Sequence, residues 1–79
     1  MHDQDFMTVL ASHDANDLSQ CFLVKDIRTN GYSVGIFDGN DKPFLLMEDD
    51  EAFNDALVSF LLGNGVPAYG NIAAVERRL

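Results

Sequence analysis

Two histidine-aspartate pairs are the first residues of the sequence whose types suggest chemistry. They are His2-Asp3 and His13-Asp14, a combination that holds metal ions in larger helical hydrolases. Such sites need several long helices to bring their ligands together, and 79 residues are too few to build them. The pairs, alone or with Cys21, define one hypothesis, a small-ligand or metal-binding module. The simpler interpretation is a polar terminus and a polar loop, so we predict no metal site and no cofactor.

Other short motifs do not complete an enzyme site. Asp38-Gly39-Asn40-Asp41 is rich in oxygen ligands, but Pro43 stands where the calcium-binding EF-hand loop needs glycine. Gly63-Asn64-Gly65 lacks the lysine and the hydroxyl residue of a phosphate-binding loop. Cys21 has no flanking base to activate it, so we expect it to pack as a small apolar side chain. Without a nucleophile, metal set or cofactor loop, we predict that the chain is not an enzyme.

Acidic residues are the feature that remains. The chain has 13 Asp and Glu against 5 Lys and Arg, a net charge of −8, and residues 38–55 hold the densest group of acids. One or two acids stabilise a helix N-terminus, but four in succession repel one another. A solvated acidic face that maintains solubility is the plain alternative to binding. The candidate partner-binding residues are Asp38, Asp41, Glu48, Asp49, Asp50, Glu51 and Asp55.

The same charge balance excludes two classes of partner. Binding to nucleic-acid phosphates or to anionic lipid requires a basic surface, which this sequence lacks. Its apolar runs are far shorter than the roughly 20 residues of a membrane helix, and no basic region of a signal peptide begins the chain. A single cysteine forms no internal disulfide. We therefore predict a cytoplasmic protein that contacts neither nucleic acid directly nor a membrane.

The elements that position these residues form one predicted α+β domain over 1–79. Their order is α-β-β-β-α-(β)-α, in which a three-stranded antiparallel meander is packed by helices. Asp3 is the expected N-cap of the first helix, and Asn71 that of the last. Pro67 limits the optional strand to the edge of the sheet. The predicted elements are a helix over 3–11, strands over 18–28, around 32–36 and 44–47, a helix over 50–62, an edge strand over 66–69 and a final helix over 72–79.

Asn30-Gly31 is the sharpest local signal, because a type I′ hairpin turn accepts this dipeptide at both central positions. That turn would pair Thr29 with Tyr32, Ile27 with Val34 and Lys25 with Ile36. One face of the hairpin would then carry Leu23, Ile27, Tyr32, Val34 and Ile36.

The helix over 50–62 has two apolar residues outside its core stripe. The stripe consists of Ala52, Phe53, Ala56, Leu57, Phe60 and Leu61. Val58 and Leu62 lie to one side of it. Either the chain itself covers them, with the terminal helix as the obvious cover, or a second molecule does. A homodimer would add buried surface to a small core.

These patterns favour a small acidic protein-binding module or inhibitor that offers its carboxylates to a basic protein surface. Its sharper form is a nucleic-acid mimic that blocks a nucleic-acid-handling protein, such as a host-defence nuclease or CRISPR effector. Many small acidic phage and mobile-element proteins share this profile. The alternative is a structural or assembly subunit, homodimeric or part of a larger complex, that uses Val58 and Leu62 as an apolar interface.

Overall fold

The computed structural model describes residues 3–26, 28, 31–46 and 49–77, without the side chains of Asp3 and Gln4. The described elements follow the predicted α+β order. They are helix α1 (Asp3–Ser12), a turn of 3-10 helix (Leu18–Gln20), strands β1 (Cys21–Asp26), β2 (Gly31–Phe37) and β3 (Pro43–Leu45), helix α2 (Glu51–Gly63), strand β4 (Ala68–Tyr69) and helix α3 (Ile72–Arg77).

The strands form one mixed sheet in the order β3-β2-β1-β4. The first three strands are consecutive antiparallel neighbours, which confirms the predicted meander. Strand β4 lies parallel to β1 at the other edge. Beside it, the Pro67 carbonyl accepts a hydrogen bond from the Leu23 amide at 2.9 Å. Because proline has no amide hydrogen to donate, this strand is confined to the edge, as predicted.

The predicted pairing of the first hairpin is wrong. Leu23 faces Val34 and Lys25 faces Tyr32, so Lys25 does not reach Ile36. The last pair among the described residues is Asp26 with Gly31, so Gly31 belongs to β2 and is not a central residue of a two-residue Asn30-Gly31 turn. The predicted partners Ile27 and Thr29, like Asn30, lie outside the described residues.

The face of this hairpin is nevertheless as predicted. In the observed register Leu23, Val34 and Ile36 contribute to one core cluster, and Tyr32 packs against it. The predicted and observed pairings differ by an even number of residues. Side chains alternate between the two faces of a strand, so an even shift leaves each of them on its face.

Several predicted strand boundaries also change, and the edge strand covers Ala68–Tyr69 instead of 66–69. Leu18–Gln20 is not strand, because side chains on either side of it hold a 3-10 turn. The Asp17 carboxylate accepts from the Ser19 amide at 2.9 Å, and the Gln20 side-chain oxygen accepts from the Asn16 amide at 3.0 Å. Such local bonds compete with a strand ladder for backbone groups. Strand β3 covers Pro43–Leu45 instead of 44–47, and Met47 lies outside the described residues.

Helices α1 and α2 cover one face of the sheet. Phe6 of α1 stacks on Phe60 of α2, with ring centroids 4.9 Å apart, and lies 5.8 Å from the ring of Phe53. These helices share a core cluster with Cys21 and Leu23 of β1 and with the facing residues of β2. Helix α1 has one apolar side against the sheet, since Phe6 and Leu10 are buried while Asp5, Thr8 and Ser12 are exposed.

A second cluster covers the opposite face. Phe22, Val24 and Phe37 pack there with Val75 of α3. The Phe22 ring also lies across Gly35, its partner in the hairpin, so closely that a Cβ on Gly35 would overlap the ring. Because both faces are covered, the four residues Cys21 to Val24 are all buried. The sheet is therefore the middle of three layers.

Helices α2 and α3 each begin after a residue that caps the N-terminus, and the Asn71 cap is the one that the sequence predicts. Asp50 accepts from the Phe53 amide at 3.1 Å at the start of α2, and Asn71 accepts from the Ala74 amide at 2.8 Å before α3. After the end of α2, Gly65 has φ +78°, and the Val66 amide donates a hydrogen bond to the Leu61 carbonyl in a Schellman motif. The predicted N-cap Asp3 is instead the first described residue of α1 itself, while Arg78 and Leu79 lie outside the described residues. Among the described helices, none has the length and apolarity to cross a membrane.

We expect Gly35→Ala to destabilise the fold by about 1–3 kcal/mol, because the new methyl overpacks against the fully buried Phe22 ring. Gly63→Ala is the matched control, since an added Cβ there meets nothing within 4 Å. Midpoints of urea unfolding measure both. A second substitution, Phe22→Leu, should recover part of the loss in the Gly35→Ala background. Equal midpoints for Gly35→Ala and the parent chain would contradict the packing described.

We also expect the Cys21 thiol to react slowly in the folded chain. Burial, and then the negative charge of Asp17, raise the pKa of this thiol from 9.0 to about 11. At a pH well below both values, a pKa that is two units higher leaves about a hundredfold less thiolate, and the thiolate is the reactive species. Alkylation by iodoacetamide should therefore be at least that much slower in buffer than in urea. Equal rates in the two solvents would show that Cys21 is not in the core.

Candidate functional site

The acids at the start of α2 form the densest part of the predicted site. Asp49, Asp50, Glu51 and Asp55 are all exposed. Asp50 caps the helix, and Glu51 and Asp55 are four residues apart, which places them on one side of it. Within the described part of the chain, Asp49, Glu51 and Asp55 form no ion pair. Three carboxylates there remain available to a partner.

Asp38 and Asp41 do not join this group. They lie in the turn after β2, whereas the start of α2 lies beside the first residues of β2. The path along β2 from Tyr32 to Phe37 is about 17 Å. The seven predicted residues therefore do not form one patch, and Glu48 lies outside the described residues.

A structural role in the turn also explains why Asp38 is an acid. Its carboxylate accepts hydrogen bonds from the Lys42 amide at 3.0 Å and the Asn40 amide at 2.8 Å. These two backbone bonds, in that order, hold the pKa of Asp38 below its usual value of 3.8, and the Lys42 charge adds to them. Asp41 follows with φ +60°, a left-handed conformation that aspartate tolerates. Asp38 is an element of the turn.

Asp26 is a carboxylate near the α2 acids that the sequence analysis missed. Its side chain is 19% exposed, and it holds the guanidinium of Arg28, which is 85% exposed. Arg28 Nη2 donates to Oδ2 at 3.3 Å, while its backbone amide donates to Oδ1 at 2.9 Å. The sequence did contain a signal for this pair, namely an acid and an arginine two residues apart beside the predicted hairpin turn.

Asp26, Glu51 and Asp55 meet at a half-open groove of about 490 Å³, which we call the acidic groove. The end of β1, the start of β2, the end of β3 and the first turns of α2 contribute to it. Its lining residues are Asp26, Arg28, Gly31, Tyr32, Ser33, Leu45, Leu46, Glu51, Asn54 and Asp55.

The groove exists because β3 pairs with only part of β2. The β3 residues face Gly35 to Phe37, and Leu46 adds one bond from its amide to the Val34 carbonyl at 2.8 Å. At the next such carbonyl, that of Tyr32, the donor is the side-chain amide of Asn54 at 3.3 Å. A helix side chain thus takes the place of a strand amide, and α2 becomes the wall opposite Leu45.

The predicted apolar pair Val58 and Leu62 is divided. Val58 is 8% exposed and belongs to the core cluster of α1, α2 and the sheet, so it is not an interface residue. The terminal helix is not its cover, because Val75 of α3 packs in the cluster on the opposite face of the sheet. Leu62 is 46% exposed. It remains as a single exposed leucine.

The residues considered for metal binding are not assembled. His13 is exposed beside the end of α1, Cys21 is in the core, and His2 lies outside the described residues. Across 3–26, 28, 31–46 and 49–77, no three His, Cys, Asp or Glu side chains are grouped closely enough to hold a metal ion. The chemistry that the described groove offers is that of carboxylates beside apolar side chains.

The lowered pKa of Asp38 predicts that its contribution to stability depends on pH. A carboxylate whose pKa is lower in the folded chain stabilises it above the unfolded value of 3.8 and ceases to do so as the pH falls through the folded pKa. Asp38→Asn should therefore lower Tm at pH 7, and the difference from the parent chain should narrow below pH 3.8. Asp41→Asn, which removes the same charge from the same turn, should have little effect. A constant difference across this pH range would contradict the assignment.

Comparison with known proteins adds no relative. No family model, no curated protein and no solved structure matches the chain. The groove and its charges are therefore the basis for the proposals that follow.

Proposed function

We propose that the chain is a small acidic protein-binding module, or an inhibitor, whose partner is a protein with a basic surface. The observation that carries the proposal is the group of exposed carboxylates of Asp49, Glu51 and Asp55, which form no ion pair with a described residue. Carboxylates at this density attract a complementary basic surface, speed the encounter with it and fix its register.

The fold needs fewer acids here than the chain supplies. Asp50 is the cap of α2, and Glu51 in the first turn is favourable beside the helix dipole. Asp49 precedes the cap, and Asp55 lies beyond the first turn, where the dipole has faded. Neither therefore stabilises α2 by capping. A surplus of charge at one place supports a binding function more than it supports a role in solubility. Acids spread evenly over the whole surface would provide solubility.

The narrower form of the proposal is a nucleic-acid mimic that blocks a nuclease or CRISPR effector. Carboxylates would occupy the basic groove that normally holds phosphates. The acids near enough to act together are Asp26 and those at the start of α2, without Asp38 and Asp41. If this form holds, duplex DNA or RNA will compete with the chain for the partner.

Neutralising the α2 acids should abolish salt-sensitive binding. The variant is Asp49→Asn, Glu51→Gln and Asp55→Asn together, and the control is Asp14→Asn, Asp41→Asn and Glu76→Gln, which removes the same charge from exposed sites elsewhere. Each chain is immobilised, incubated with a bacterial lysate and then washed at low and at high salt. We expect a partner that the parent and control chains retain and that high salt releases. The variant should bind the isolated partner at least about tenfold more weakly.

Two results would contradict the proposal. One is a partner that the α2 variant retains as well as the control does. The other is retention that persists near 1 M salt, where charges are screened beyond about 3 Å. Salt-resistant retention would favour the alternative, a structural or assembly subunit held through exposed apolar side chains such as Leu62.

A further inference from the structure

The acidic groove has the charge and the walls to hold one particular side chain. We propose that it binds an arginine that the basic partner inserts between α2 and the end of β3. This inference rests on the proposed function and identifies the group that the partner presents. It follows from three properties of the groove: its charge, the spacing of its acids and its apolar wall.

The groove carries an excess of negative charge. Three of its lining residues, Asp26, Glu51 and Asp55, are acids, and among the described lining residues Arg28 is the single base. Arg28 is paired with Asp26 and extends into solvent, so it leaves Glu51 and Asp55 without a cation. Charges in a partly enclosed groove are screened less than charges on an open surface. A positively charged side chain is therefore the complementary occupant.

The spacing of the acids favours arginine over lysine. Residues four apart on a helix have their Cβ atoms about 5–6 Å from each other, so Glu51 and Asp55 present two carboxylates to one ligand. A guanidinium has five donors in a planar fork and can serve both, whereas an ammonium is a compact, strongly hydrated point charge. One carboxylate of the groove already binds a guanidinium in this way, since Arg28 Nε and Nη2 donate to the two oxygens of Asp26 at 3.4 and 3.3 Å.

The remaining walls suit the stem of the same side chain. Leu45 is 39% exposed, and it lines the groove together with Leu46 and Tyr32. Arginine has three methylene groups that pack on apolar surface while the charged head stays with its partners. Covering Leu45 would remove exposed apolar surface that the fold leaves uncovered. The occupant therefore combines an apolar stem with a planar cation.

The probe is the acetylated and amidated tripeptide leucine-arginine-leucine, titrated into the full chain and followed by amide NMR shifts. We expect shifts at Tyr32, Leu45, Glu51 and Asp55. Citrulline in place of arginine keeps the shape and removes the charge, and it should bind about tenfold more weakly or not at all. Glu51→Gln with Asp55→Asn should weaken the arginine peptide by a similar factor. Asp14→Asn with Glu76→Gln removes two exposed charges outside the groove and should change affinity less than twofold.

Several results would overturn the proposal. They are equal binding of the citrulline peptide, shifts confined to residues outside the groove, equal weakening by the two double variants, and no binding at millimolar peptide. A lysine peptide that binds as tightly as the arginine peptide would overturn the choice of a guanidinium.

The failure of this inference is distinguishable from failure of the proposed function. If a partner is recovered that depends on Asp49, Glu51 and Asp55 while the tripeptide does not bind, the acidic surface binds a basic protein without an arginine in the groove. If neither binds, both proposals fail.

Discussion

The packing of the Phe22 ring across Gly35 is the contact on which the two-sided sheet depends. Phe22 and Gly35 are opposite each other in the hairpin, and the position facing the ring has no side chain to displace it. In the register that an Asn30-Gly31 turn would impose, Phe22 would instead lie opposite Gly39, beyond the end of β2, and would lose its cover. Full burial of such a side chain stabilises a fold by about 1.5–3 kcal/mol, and the observed register retains this contribution. Packing, and not the turn, sets the register that places Asp26 beside Gly31.

Local patterns were enough to predict the elements, and contacts between elements explain where the prediction failed. The order of the elements and the Asn71 cap depend on residues within a few positions of one another, and both are found as expected. The register of the hairpin and the burial of Val58 depend on neighbours that a helical or alternating pattern does not reveal. The 3-10 turn before β1 is different, because it is held by local side-chain bonds that compete with the strand pattern. Val58 is buried because both α1 and the sheet pack around α2, so the buried side of that helix is wider than its stripe.

The candidate site shows the same division. The sequence correctly places a dense group of acids at the start of α2, since both the charge run and the helix boundary are local. It could not separate acids that serve the turn from acids that face solvent, because Asp38 is distinguished by the two amides that fold back onto it. Nor could it include Asp26, which is 25 positions from Glu51 and 29 from Asp55 in the sequence but adjoins them through the pairing of β1 with β2 and the packing of α2 on β2.

The groove results from the way in which β3 and α2 cover the edge of the sheet. A strand edge exposes backbone groups that attract other chains, and proteins commonly guard it with short strands, proline or a covering element. Here β3 begins at Pro43 and has three residues, and Asn54 of α2 supplies the donor to Tyr32 in place of a further strand amide. The side chain that closes this part of the edge also fixes α2 beside it, with Glu51 and Asp55 on either side of Asn54 in sequence. Protection of the edge and placement of the acids are thus one arrangement, and a partner side chain that enters the groove meets acids that the fold already holds in position.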